Sequence, residues 1–193
     1  MKNSIIAGLS VLTIAALAVL PNVTEGNTSA SGVVKVTCTV APDLAVTPVE
    51  ATVDAGIIRM GDFSMTCDYQ VRANMRDVQF FVEQSPLFKA SDPGGKVVAP
   101  IPVDTSKGVT LQPVKGVAKS GHGNMLLFTG NGANVGGLQT LRTEAATFSS
   151  SQANTFSQEV GVTCWWSQAD SAKPPGEYSG IVRLTVLVMP PSG

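Results

Sequence analysis

The feature that most constrains the fold of this chain is its final apolar stretch, residues 175–188. A turn signal, Pro175-Gly176, leads into an alternation of apolar and polar side chains. Successive side chains in a strand point to opposite sides, so this pattern predicts a strand with one apolar face. That face carries Tyr178, Val182, Leu184, Val186 and Val188. A strand of this kind must be covered on its apolar side, and what covers it is the question on which the function depends.

The N-terminus predicts export. Lys2 is followed by a nearly unbroken run of Ile, Leu, Val and Ala, and a small-x-small motif at residues 16–18 then offers a cleavage site. We therefore expect a signal peptide over residues 1–18, with cleavage as late as residue 30 as an alternative. The other interpretation of this run is a membrane anchor, but it falls short of the roughly 20 residues that a spanning helix needs.

The length and net charge of the chain are typical of one globular domain. About 175 residues remain after the predicted leader, enough for one domain with a real core. Export would remove Lys2 from the 13 basic residues and none of the 14 acidic ones, which leaves a net charge of −2. A charge this small and scattered gives no reason to expect nucleic acid or an anionic membrane as partner.

Short alternating runs dominate the rest of the chain. They cover residues 34–40, 63–71, 78–82, 125–128 and 160–166. Such runs, bounded by Gly, Pro, Asn and Asp, predict an all-β sandwich over residues 34–189, followed by a short tail at 190–193. Residues 138–148 show mild helical character without an apolar face. The proline-bearing stretch 84–120 is expected to form loops and edge strands.

The three cysteines suggest one structural bond. Cys38 and Cys67 both lie on the predicted inward face of their strands, and an exported protein meets conditions in which disulfides persist. A bond between them would stabilise the fold by about 3 kcal/mol in the chain-entropy model. Cys164 would then be a small buried apolar residue beside Trp165 and Trp166. Sequence does not fix connectivity, so other pairings stay open.

No catalytic or cofactor constellation stands out. His122 is the single histidine, and it lies in a glycine-rich stretch without the frame of a Ser-His-Asp triad. The glycine-rich run at 130–137 has the wrong spacing for a dinucleotide fingerprint and is expected to be a flexible surface loop. The chain also has no Cys-x-x-Cys motif or Cys/His cluster. We therefore expect no enzyme activity, no cofactor and no metal site.

Three motifs in order resemble pilins of the chaperone–usher class, in particular the archaic branch that shares the spore coat protein U-like domain. They follow the exported N-terminus: the strand at residues 32–40, the stretch at 61–69 with Gly61, Asp62 and Cys67, and the closing turn and strand from Pro175. The resemblance covers both ends of the chain and little of residues 85–155.

The resemblance implies an immunoglobulin-like sandwich that lacks its final strand. A groove would then lie beside the C-terminal strand, filled first by a periplasmic chaperone and then, at the outer-membrane usher, by the N-terminal extension of the next subunit. The implied groove residues are Val34, Val36, Tyr178, Val182, Leu184, Val186 and Val188. The implied donor is the extension over residues 19–33, with Val19, Val23 and Ala30 as its apolar side chains. The Cys38–Cys67 bond would stiffen the adjoining sheet.

The implied function is that of a structural fimbrial subunit on the cell surface, which polymerises with like subunits and supports adhesion or biofilm formation on a host or abiotic surface. It can be a shaft or a tip subunit. The main alternative is a self-sufficient secreted β-sandwich, either a surface-coat protein or a binding module for sugars that uses the 120–137 loops and Trp165 or Trp166. A secreted hydrolase centred on His122 is a further alternative.

Overall fold

The protein is all-β. A computed structural model describes residues 34–38, 40–41, 43–116, 118–120, 124–150 and 155–188. These residues form antiparallel strands and contain no helix, and so none long and apolar enough to span a membrane. The strands are β1 (Leu44–Pro48), β2 (Gly61–Ala73), β3 (Asp77–Gln84), β4 (Phe88–Lys89), β5 (Val109–Gly116), β6 (Ala118–Ser120), β7 (Asn124–Leu126), β8 (Phe128–Val135), β9 (Leu138–Thr143), β10 (Ala146–Ser150), β11 (Phe156–Gln168), β12 (Tyr178–Ser179) and β13 (Val182–Val188).

Two large sheets contain most of the strands. Sheet 1 has the order β1-β2-β11-β5-β7, and its centre is the long pair of β2 and β11, which are in register from Ala73 opposite Phe156 to Gly61 opposite Gln168. Sheet 2 has the order β6-β10-β3-β9-β8, and β13 pairs with β3 as well. β10 and β9 share one edge of β3, so β13 lies along its other edge. A small third sheet joins β4 and β12.

The core lies between the inward faces of sheets 1 and 2. The rings of Phe80 on β3 and Phe156 on β11 are 5.8 Å apart and bring the two sheets together. Phe148 on β10 meets Phe80 edge-on at 4.7 Å, a favoured aromatic geometry. Alternate residues of β2, β3, β11 and β13 fill the rest of this layer, as period-2 burial requires. This arrangement is consistent with a β-sandwich.

Contacts divide the chain into two units, Met1–Ala41 and Pro42–Gly193. The second contains all the strands described above. The described residues of the first form no strand, so the prediction of a first strand at 34–40 is wrong for them. β1 pairs with the edge of β2 instead, from Leu44 opposite Ala73 to Pro48 opposite Tyr69. The predicted signal peptide at 1–18, the extension at 19–33 and the tail at 190–193 lie outside the described residues.

Two other local predictions are also wrong. Residues 138–148 contain β9 and β10 rather than a helix, and in β10 Ala146, Phe148 and Ser150 are buried at strand spacing. The glycine-rich run at 130–137 forms most of β8 and a hairpin turn into β9 rather than a flexible loop. Gly136 and Gly137 take φ values of 58° and 85° in that turn, which favour glycine.

Candidate functional site

An open cleft of about 800 Å³ lies between the edges of the two sheets. One wall comes from sheet 1, the other from β12, β13 and the segment before β4, and residues 50–58 border its mouth. The sheet 1 wall includes Val46, Met65, Cys67, Tyr69 and Trp166. The opposite wall includes Leu87, Tyr178, Val182 and Leu184. These are inward-facing positions of both sheets, so the cleft continues the core to the surface.

The edge of β13 that faces away from β3 pairs with no strand among the described residues. Ser85 donates its N–H to the carbonyl of Ile181 at 2.9 Å, which fixes the residues of β13 that bond to β3. Hydrogen-bonded and non-bonded pairs alternate along an antiparallel ladder. The backbone groups of Val182, Leu184 and Val186 therefore point away from β3. An added strand would find hydrogen-bonding groups at this edge.

The side chain of Tyr69 crosses the cleft and hydrogen-bonds to one of the backbone groups at this open edge of β13. Its hydroxyl donates to the carbonyl of Val182 at 2.8 Å, which joins sheet 1 to β13. Burial raises the pKa of the Tyr69 phenol well above its usual range, and the nearby thiols of Cys67 and Cys164 raise it further. The phenol therefore stays protonated and remains a donor at physiological pH.

The rim of the cleft is mainly acidic. Among the residues that line it are Glu50, Asp54, Asp68 and Glu177, against the single base Arg183. The guanidinium of Arg183 is itself bound to the buried carboxylate of Glu83, with 2.7 Å between Nε and Oε2. Its charge is therefore largely compensated, and the rim favours a ligand that carries positive charge.

The predicted groove residues separate into two groups. Tyr178, Val182 and Leu184 line the cleft, and Val186 is buried next to them on β13. Val34 and Val36 are 75% and 85% exposed. The side chain of Val188 and the predicted donor residues Val19, Val23 and Ala30 lie outside the described part of the chain, as does His122.

All three cysteines are free thiols in this structure, so the predicted Cys38–Cys67 bond is not formed in it. Cys38 is exposed, Cys67 is half-buried in the cleft wall, and Cys164 is fully buried, as its apolar interpretation predicted. Burial raises the pKa of the Cys67 thiol, and the charge of Asp68 raises it further. Burial also raises the pKa of Cys164. Neither thiol has the depressed pKa of a catalytic cysteine.

The two tryptophans do not form an open platform. Trp166 is buried, stacks on Phe63 with 5.9 Å between ring centres, and donates its indole N–H to the carbonyl of Ser85 at 3.0 Å. Trp165 lies on the opposite face of β11, where the Lys107 ammonium is 4.4 Å from its ring centre. That cation occupies one face of the ring, so a sugar could stack on this face only after Lys107 moved away.

Sequence reasoning missed the sheet 1 wall of the cleft. The alternation at 63–71 did contain a signal, since Met65, Cys67 and Tyr69 share one face with the buried Val71. Val46 had no comparable signal, because β1 is short and ends at Pro48. No group of three or more His, Cys, Asp or Glu side chains within the described residues could hold a metal ion.

No protein-family profile, curated protein or solved structure matches this chain.

Proposed function

We propose that this chain is a structural subunit of a surface fibre assembled by donor-strand exchange. In this proposal the domain is an immunoglobulin-like sandwich that lacks its final strand, and a strand from another protein completes it. The chain is exported to the periplasm, held there by a chaperone, and joined to like subunits at an outer-membrane usher. The fibre supports adhesion or biofilm formation at the cell surface.

The observation that supports this proposal is the cleft beside the unpaired edge of β13. Strand addition needs an edge with backbone groups to pair and pockets for alternate side chains. Leu184 and Val186 supply the backbone groups, and the gap between the sheet walls supplies the apolar pockets. An enzyme or a sugar-binding module does not need an unpaired strand edge.

The same edge explains why a chaperone is needed. An apolar strand edge without a partner is a template for aggregation. A chaperone strand would cover it during transit, and the next subunit would replace that strand without leaving the edge open. The exchange would need no energy source beyond folding itself provided that the final strand buries more apolar surface than the temporary one.

The proposal is tested by producing the full chain in a periplasm with and without a chaperone from the same source. We expect degradation or polymerisation when the chain is alone, and a soluble one-to-one complex when the chaperone is present. A stable monomer with cooperative unfolding and a protected β13 would contradict the proposal. It would favour the self-sufficient secreted module instead.

A pair of substitutions on β13 makes the test specific to the cleft. Val182→Asp places a charge on the cleft wall, whereas Leu187→Asp places the same charge on the opposite, exposed face of the strand. We expect Val182→Asp to abolish chaperone binding and fibre growth, because a charge cannot enter an apolar pocket without a large desolvation penalty. Leu187→Asp should retain both. Equal behaviour of the two variants would contradict a role for the cleft.

A further inference from the structure

Residues 34–40 have the sequence pattern of a strand and exposed apolar side chains, so they are suited to pairing with an open sheet edge. Val34, Val36 and Val40 alternate with polar residues and are 75%, 85% and 77% exposed. Side chains of this kind lose free energy when they are removed from water, at about 25 cal/mol per Å² of apolar surface. The segment also carries Lys35 and no acid, which complements the acidic rim of the cleft. Residues 19–31, by contrast, do not alternate: Val19, Leu20 and Pro21 are consecutive apolar residues, only Val23 and Ala30 follow them, and the segment carries Glu25.

The cleft contains a thiol with no partner in its own sheet. Cys67 lines the cleft, and Cys164 on the neighbouring strand is diagonal to it, since Cys67 lies opposite Val162 and Cys164 lies opposite Met65. Diagonal Cα atoms in an antiparallel pair are about 7–8 Å apart, whereas a disulfide needs about 4.4–6.8 Å. Cys164 is therefore a poor partner for Cys67.

Cys38 of the same chain has difficulty in reaching Cys67. Asp43 is held at the far end of β2, where it donates its N–H to Oδ1 of Asn74 at 2.8 Å and accepts the N–H of Asn74 at 3.1 Å. The seven residue steps from Asn74 to Cys67 cover about 23 Å of strand. The five steps from Asp43 back to Cys38 cover at most about 18 Å. Even the full Cα separation of a disulfide, about 6.8 Å, leaves almost no length for the chain to reverse.

We propose that Cys38 of one copy forms a disulfide with Cys67 in the cleft of another copy, with residues 34–40 as the inserted strand. This inference rests on the proposed function, since it names the donor segment and adds a covalent bond to an otherwise non-covalent fibre. The segment matches β13 in length, with seven residues in each. Cys38 is on the same face of the segment as its three valines and enters the cleft with them.

The bond forms by oxidation of two thiols. The Cys38 and Cys67 sulfurs lose two protons and two electrons and gain one S–S bond. The electrons pass to a disulfide of a thiol oxidoreductase or a small-molecule disulfide, which is reduced to two thiols through a mixed disulfide. Exported proteins meet such oxidants.

The test is a gel of full-length protein from an oxidising periplasm, run with and without reductant. We expect a ladder of cross-linked oligomers that reduction collapses to one band. Cys38→Ser or Cys67→Ser alone should remove the ladder, and the control Cys164→Ala should keep it. Co-expression of the Cys38→Ser and Cys67→Ser variants should give cross-linked dimers without a ladder, because each pair of copies then has one complementary pair of thiols.

Other outcomes distinguish a failure of the disulfide proposal from a failure of the strand-exchange proposal on which it rests. A Cys38–Cys67 bond mapped within single monomers, or reduced fibres with no cross-link in the oxidising periplasm, would overturn the cross-link and leave the strand-exchange proposal intact. Chains that form no fibre under any redox condition, even with chaperone and usher, would overturn both. Microscopy of fibres grown from Cys38→Ser chains distinguishes these results, since strand exchange itself needs no thiol.

Discussion

At the scale of single residues, Tyr69 is the side chain that holds the cleft in shape. Tyr69→Phe removes the hydrogen bond to the Val182 carbonyl while it keeps the ring. We expect a loss of about 1 kcal/mol in the free energy of unfolding, because the part-buried carbonyl loses its donor. Denaturant unfolding of the two proteins measures this loss. Tyr178→Phe, whose hydroxyl bonds to the Pro174 carbonyl, is the matched control and should cost less because that side chain is more exposed.

The same phenol predicts a dependence on pH. Burial raises the pKa of Tyr69 in the folded protein above the ordinary value of 10.0. The unfolded chain therefore releases this proton first, so the contribution of Tyr69 to stability is fully present below pH 10 and is lost as the pH rises further. We expect the free energy of unfolding to fall less steeply above pH 10 in Tyr69→Phe than in the parent protein. Equal slopes would contradict the raised pKa.

At the scale of strands and hairpins, the β8–β9 hairpin is held by close packing around Gly132. A Cβ atom there would collide with Oγ1 of Thr140 and lie 2.9 Å from Oε1 of the buried Glu83. That carboxylate also accepts the N–H of Ala133 at 2.7 Å. We expect Gly132→Ala to destabilise the protein by about 1–3 kcal/mol through overpacking. Thermal unfolding measures the change. Gly94→Ala, whose Cβ would meet only ordinary contacts, should change stability little.

The elements that the sequence pattern predicted correctly are those with one face in the core. β2, β11 and β13 alternate in the sequence and in burial, because the pleat imposes the same period on both. β3 does so only up to Phe80, since every residue from Phe80 to Gln84 is buried. Residues 34–40 show why the pattern has a limit. Alternation indicates that a segment can form a strand, but it does not say which edge the strand pairs with, or in which molecule.

The cleft has walls that the sequence pattern could predict in part and a gap between them that it could not, for a related reason. Its β13 wall follows from a single alternating run, as does the face that Met65 and Tyr69 share. The cleft is open because residues 49–60, which follow β1, form no strand. Val49 still donates its N–H to the carbonyl of Asp68, and the chain then leaves the edge of β2. No local signal in that stretch predicts the gap, since an unpaired edge depends on every element that could pair with it.

At the scale of the whole molecule, charge complementarity should set the rate of assembly. Lys35 is the single charged residue of segment 34–40, and the residues that line the cleft include four acids against one base. We expect Lys35→Glu to slow fibre growth several-fold at low salt, because charge at the edge of an interface acts mainly on association. The difference should shrink as salt rises. Light scattering follows the growth, and Lys96→Glu, an exposed site elsewhere, should match the parent protein.

The hydroxyl of Tyr69 has a last consequence for an assembly of many copies. It occupies the Val182 carbonyl, so the first open carbonyl that an incoming strand finds on this edge of β13 is that of Leu184. A strand that slid toward Ile181 would have to break that bond. Each inserted strand would therefore pair with β13 in the same register, and the spacing from one copy to the next would be uniform. One phenol would thus set the periodicity of the fibre.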